Sequence, residues 1–222
     1  MSEARLRAVL FDMDGTLLDS EKLWAVALRD LCARLGHELT PQLRADLVGM
    51  DQYESMVLLH SRLGLSPDGI ADNTRWLVAR VKALFAGGVV WRPGARELLE
   101  AVRAKGYRTA LVTATGRELV DVILSGIGDD WFDVTIVGDE VARNKPDPEP
   151  YATAMRRLGL APNECLAIED SPTGVASATA AGCVVLAVPS EARLEPHPRV
   201  EIVGCLDGVD VDHLEKVHNK LL

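Results

Sequence analysis

Two rhythms of apolar and polar positions alternate along the chain. Short apolar runs suit strands at Ala8–Phe11, Arg108–Val112, Val134–Val137, Cys165–Ile168, Val184–Val188 and Val200–Val203. Runs of four apolar residues fit strands buried on both faces, the habit of a parallel sheet. Between them, helical spacing predicts helices over Glu21–Leu35, Pro41–Leu47, Gln52–Leu63 and Pro67–Phe85. Further helices follow from Pro93-Gly94 to Lys105, and over Glu118–Leu124, Glu149–Leu158, Thr173–Ala181 and Asp212–Leu222. Thr40-Pro41 reads as a helix start, with Thr40 as the cap and proline at the first helical position. Strands alternating with helices predict right-handed βαβ units, hence an α/β fold with helices on both faces of a parallel sheet. No strand candidate breaks residues 17–88, which read as a small all-helical insert. Two units are therefore expected: residues 1–16 with 89–222, and residues 17–88.

Composition narrows the function classes. The 222 residues carry a net charge of −9, which disfavours non-specific nucleic-acid binding. No apolar stretch is long enough to span a membrane. The segment MSEARLRAVLF enters the first strand without a leader-cleavage pattern, so the expected location is the cytoplasm. A monomer or weak dimer is expected. Cys32, Cys165, Cys183 and Cys205 are scattered, and Cys165 and Cys183 fall in apolar runs as reduced core residues. The five histidines lack metal-ligand spacing and read mostly as surface residues.

The chemistry gathers at strand ends. Ala8–Phe11 stops abruptly in Asp12-Met13-Asp14-Gly15-Thr16. Residues two apart in extended chain project to one side, so Asp12 and Asp14 bring two carboxylates together where open α/β sheets bind ligands. Crowded carboxylates call for a shared proton or a cation, and oxygen ligands suit Mg²⁺. Thr113 follows the second strand; with the backbone N–H groups after it, it could hold phosphate, or merely cap a helix. Lys145, between Asn144 and Pro146, stands on a proline-stiffened loop, either to neutralise charge or as a solvated lysine. Glu169-Asp170 ends the fourth strand. A helix cap needs one acid, so the pair favours a metal over a cap.

Taken in order, D-x-D-G-T, the apolar run into Thr113, Lys145-Pro146 and Glu169-Asp170-Ser171 resemble the four motifs of the haloacid-dehalogenase-like hydrolase superfamily. The helical insert resembles the cap of its β-phosphoglucomutase-like branch, which holds phosphatases and phosphomutases of small phosphorylated metabolites. The resemblance implies a Rossmann-like core and a helical cap. It also implies Asp12 as nucleophile, Asp14 as general acid and base, and a Mg²⁺ site at Asp12, Asp14 and Asp170 with Glu169 in or beside it. Thr113, the Ala114 N–H and Lys145 would grip the phosphoryl group.

The insert bears on phosphatase against mutase. Resembling mutases carry a histidine about ten residues after the first motif, where this chain has Trp24. They also carry two basic residues around a cap glycine, where this chain has Val48 and Gln52. A mutase must hold a second phosphate, so the expectation is a phosphatase, with the phosphomutase as the alternative and a non-catalytic binding protein behind both. Trp24, Met50, Gln52 and Tyr53 are candidate substrate-facing residues of the cap, with Trp24 and Gln52 fitting a sugar or polyol; the two aromatics read equally as core or surface.

Overall fold

The strand that opens the chain, β1 (Ala8–Phe11), occupies the middle of a six-stranded parallel sheet. The computed structural model describes residues 5–47, 50, 52–128, 130–190 and 192–222. The sheet order is β3-β2-β1-β4-β5-β6, with β2 Arg108–Val112, β3 Val134–Ile136, β4 Cys165–Glu169, β5 Val184–Ala187 and β6 Val200–Ile202. Alternate residues of β1 serve opposite faces, as the period of two requires. Val9 and Phe11 join a core with α5 (Ala95–Ala104), α6 (Arg117–Ile127) and α9 (Val211–Leu221). Ala8 and Leu10 join another with α7 (Glu149–Leu158) and α8 (Pro172–Ala180). Burying a side chain such as Phe11 contributes about 1.5–3 kcal/mol, and all four residues of β1 are apolar and buried.

Between β1 and α5 the chain forms α1 (Glu21–Arg34), α2 (Pro41–Leu47), α3 (Gln52–Leu63) and α4 (Ile70–Phe85). Here α1 and α3 both pack on α4, and α2 packs on α3. The outgoing and returning segments run side by side: Asp19 N donates to Val90 O at 2.8 Å and Arg92 N to Leu17 O at 2.8 Å. Thr40 Oγ1 accepts from Leu43 N at 3.2 Å, the cap expected at the start of α2.

Several local expectations need correction. The helix expected from Pro67 begins at Ile70, because Ser66 Oγ accepts from Asp68 N and folds Pro67–Gly69 into a separate 3₁₀ turn. The helix expected to end at Leu124 runs to Ile127, whose carbonyl accepts from Trp131 Nε1 at 2.6 Å. His60 and His218 are buried, not on the surface. His60 lies within hydrogen-bond reach of Ser66 O and Asn73, and His218 Nε2 donates to Asn163 O. Cys165 and Cys183 are buried free thiols, as their apolar surroundings require. Among the described residues, no helix is long and apolar enough to cross a membrane.

Candidate active site

The strand order reverses between β1 and β4, and a crevice opens beyond their C-terminal ends. Asp12 N donates to Ile168 O at 3.0 Å, so Asp12 leaves the sheet beside Glu169 and Asp170. Thr113 leaves the neighbouring β2. Lys145 enters from the loop before α7, and its ammonium donates to three acceptors: Asp12 Oδ1 at 2.7 Å, Glu169 Oε1 at 2.6 Å and Val112 O at 2.9 Å. An ammonium has three donors, so this buried one is saturated. The bland alternative of a solvated loop lysine is excluded.

Glu169 is the last residue of β4 and is fully buried. Its Oε1 also accepts from Tyr151 Oη at 2.8 Å, and its Oε2 from Asp170 N at 3.1 Å and Ser171 Oγ at 3.3 Å. A Cβ at Gly174 would collide with this carboxylate, so α8 approaches it only through glycine. Ser171 meanwhile caps α8, with its Oγ accepting from Gly174 N at 3.1 Å. Gly15 does for Asp170 what Gly174 does for Glu169, at a φ of 78° that itself favours glycine.

Asp14 faces the same crevice. Its Oδ1 accepts from Ser20 Oγ at 2.6 Å and from Trp24 Nε1 at 3.1 Å. Its Oδ2 accepts from Thr115 Oγ1 at 2.7 Å and Thr113 Oγ1 at 3.3 Å. Ser20, Thr115, Tyr151 and Ser190, which donates to Asp170 Oδ2, are the functional-site residues that sequence reasoning missed. Only Thr115 had a visible signal, lying two residues after Thr113 in the same turn.

Oxygen atoms of Asp12, Glu169 and Asp170 lie within 4.8 Å of one another. Burial pushes the Asp12 carboxyl up to about 7, although the Lys145 ammonium pulls it down. Burial, with the Asp12 and Glu169 charges alongside, pushes Asp170 up to about 9. Such upward shifts mark a site built for more positive charge than Lys145 brings. Asp12 Oδ2 is buried and has no hydrogen-bond partner among the described residues. An orphaned carboxylate oxygen beside a second buried acid fits a hard divalent cation. Both oxygens of Glu169 are occupied by donors, which leaves Asp12 and Asp170 as the acids open to a metal.

The helical insert forms the opposite wall of the cleft, through Trp24, Arg44, Leu47, Met50, Gln52 and Ser55. Tyr53 is exposed and is not among the described lining residues. Val48 lies outside the described residues. The insert does bring one basic side chain to the cleft, Arg44 from α2, away from positions 48 and 52. Arg44 pairs with Glu21 at 2.9 Å. Arg75 pairs with Asp72 on the exposed surface.

Residues 6–182 match the model of the haloacid dehalogenase-like hydrolases. The chain belongs to this hydrolase family. It is 34% identical over 178 residues to a phosphorylated carbohydrates phosphatase of Thermotoga maritima, covering 80% of this chain and 82% of that one. It is 34% identical over 205 residues to hexitol phosphatase A of Escherichia coli, covering 90% of each. Among solved structures, a mutant of CbbY from Rhodobacter sphaeroides in complex with xylulose-1,5-bisphosphate superposes with a TM-score of 0.85 at 28% identity. That alignment covers 95% of this chain and 99% of the other. The protein is thus an enzyme of the haloacid dehalogenase-like type, with an acidic cluster fit for a metal.

Proposed function

We propose that this hydrolase is a Mg²⁺-dependent phosphatase of small phosphorylated sugars or polyols that works through an aspartyl phosphate on Asp12. The observation that carries the reading is the pairing of Asp12 Oδ1 with Lys145 while Oδ2 has no partner. Oδ1 is held by Lys145, and Oδ2 is left open toward the cation and the substrate. Residues 1–16 with 89–222 serve as the catalytic core and 17–88 as a cap, in a cytoplasmic monomer or weak dimer that binds neither nucleic acid nor membrane.

Asp12 attacks phosphorus as the bond to the leaving oxygen breaks, and the leaving oxygen takes a proton from Asp14. Water then attacks the phosphoaspartate, gives its proton to Asp14, and Asp12 departs as carboxylate. Thr113 and the Ala114 N–H steady the phosphoryl oxygens, while Lys145, whose three donors are taken, supplies positive charge beside them and stays charged because Asp12 and Glu169 face it. Mg²⁺, held by Asp12, the Asp14 carbonyl and Asp170, would neutralise charge on the phosphoryl group. Glu169 acts through Lys145 and not as a ligand, since both its oxygens are engaged.

The relatives' names, a carbohydrate phosphatase and a hexitol phosphatase, support the substrate class. The cleft wall adds Gln52 and Ser55 for hydroxyl groups. Arg44 is already paired with Glu21, so a second phosphate would have to compete for it, which disfavours the mutase. The test is a screen of phosphorylated metabolites for released phosphate, repeated with EDTA and with Mg²⁺ restored. β-Glucose 1-phosphate with a trace of the 1,6-bisphosphate is followed by phosphorus NMR. Hexitol or sugar phosphate hydrolysis that needs the cation is expected. Undiminished turnover after chelation overturns the metal, and accumulation of glucose 6-phosphate overturns the phosphatase.

A further inference from the structure

The indole of Trp24 has a ring face and a single N–H, and the two do different things. Trp24 lies on the first turn of α1 and is half-buried at the cleft wall. Its Nε1–H is engaged with Asp14 Oδ1 at 3.1 Å, so it has no polar group left to offer a substrate hydroxyl. Ser20, the residue before α1, donates to the same oxygen at 2.6 Å. On the other side, Thr113 and Thr115 reach Oδ2, and both line the cleft.

The donors differ in kind. Serine and threonine hydroxyls can donate or accept, whereas an indole N–H can only donate. Oδ1 is thereby fixed as an acceptor, and Oδ2 is the oxygen turned to the strand ends where Thr113 and Lys145 gather. We propose that Trp24 is a positioning residue: its N–H locks the Asp14 carboxyl so that Oδ2 presents to the leaving-group oxygen. This deepens the phosphatase reading and rests on it. In that step the phosphorus–oxygen bond breaks, its electron pair goes to the leaving oxygen, and the proton on Asp14 Oδ2 joins that oxygen. Trp24 exchanges no proton; its indole N–H bonds Asp14, while its ring packs against the core.

The role predicts a dependence on the leaving group. An alkyl phosphate needs a proton as its alkoxide departs, whereas p-nitrophenolate departs without one. For Trp24→Phe, which keeps an aromatic ring and loses the N–H, kcat/KM on a hexitol 6-phosphate should fall about tenfold. On p-nitrophenyl phosphate it should change by less than about twofold. Equal losses on both substrates would show a structural or phosphoryl-site role and overturn the proposal. So would a rise in KM alone, which marks direct substrate contact. A second measurement needs no substrate. Ultraviolet resonance Raman spectra, wild type minus Trp24→Phe, isolate the Trp24 indole; its hydrogen-bonded N–H signature should weaken in Asp14→Ala. An unchanged signature overturns the Trp24–Asp14 pairing. If the wild type hydrolyses neither phosphate, the phosphatase reading fails and the Raman result decides the pairing by itself.

Discussion

The ammonium of Lys145 lies 2.6 Å from Glu169 Oε1, and both side chains are almost wholly buried. Lys145 is also 2.7 Å from Asp12 Oδ1, and its ammonium lies 5.3 Å from the centre of the Tyr151 ring. A buried cation between two buried acids is stable only as a set, because each charge offsets the desolvation of the others. The set therefore joins the integrity of the fold to the charge of Asp12.

Replacing Lys145 with methionine keeps the stem and removes the charge, leaving Asp12 and Glu169 buried without their cation. Loss of one partner of such a set costs about 3–5 kcal/mol. Urea unfolding of Lys145→Met should show a loss of that size, together with loss of phosphatase turnover.

Asp12→Asn should fold normally and have no measurable turnover, since an amide of nearly the same shape cannot form the acyl phosphate. Loss of the nucleophile removes several kcal/mol of transition-state stabilisation. Mass spectrometry of acid-quenched wild type should locate phosphate on the peptide containing Asp12. Phosphate on a peptide without Asp12 would reassign the nucleophile.

Gly174→Ala tests the close approach of α8 to the acid cluster. In most helix positions alanine is better than glycine by about 1 kcal/mol. Here the added methyl meets the Glu169 carboxylate, so the sign should reverse. Overpacking of this kind costs about 1–3 kcal/mol. Thermal unfolding should show a lower midpoint, and activity should fall as Glu169 and Lys145 shift.

His218 makes folding sensitive to acid. Burial pulls its pKa below the ordinary 6.5. The unfolded chain therefore binds the proton first, and the stability from this group is present above pH 6.5 and lost as the pH falls through the folded value. Denaturation midpoints should decline below pH 6.5 in the wild type and more shallowly in His218→Gln, which keeps a donor for Asn163 O but cannot titrate there.

Which residues could be read in advance follows from where their partners lie. Asp12 and Asp14 are legible because the strand period alone puts them on one side. Thr113, Lys145, Glu169 and Asp170 are legible because each belongs to a strand end or stiff loop marked by apolar runs and proline. Tyr151 and Ser190 are different: their partners, Glu169 and Asp170, are brought to them by helix and sheet packing that no local pattern encodes. The distance of Trp24 from the first motif points it to the cleft, but its hydrogen bond to Asp14 depends on how the start of α1 is set against the turn after β1. His60 and His218 were misjudged because one polar ring on a helix looks the same whether its backbone partner is near or far. Arg44 and Arg75 are equal candidates for a cap cation in the sequence; only the packing of α2 and α4 brings Arg44 to the cleft and leaves Arg75 on the surface.

The central place of β1 has a consequence for synthesis of the enzyme. β1 pairs with β2 through Ala8 and Arg108, and with β4 through Ala8 and Cys165. A ribosome therefore releases the strand that leads into Asp12 about a hundred residues before its first neighbour, with α1–α5 in between. Until β4 emerges, the middle of the sheet has an open edge, and such edges invite pairing with other chains. The helices α1–α4, made in that interval, pack largely on one another and so can form first. The acid cluster cannot assemble until β4 is made, once about three-quarters of the polypeptide exists, so no fragment cut short before β4 carries Glu169 and Asp170.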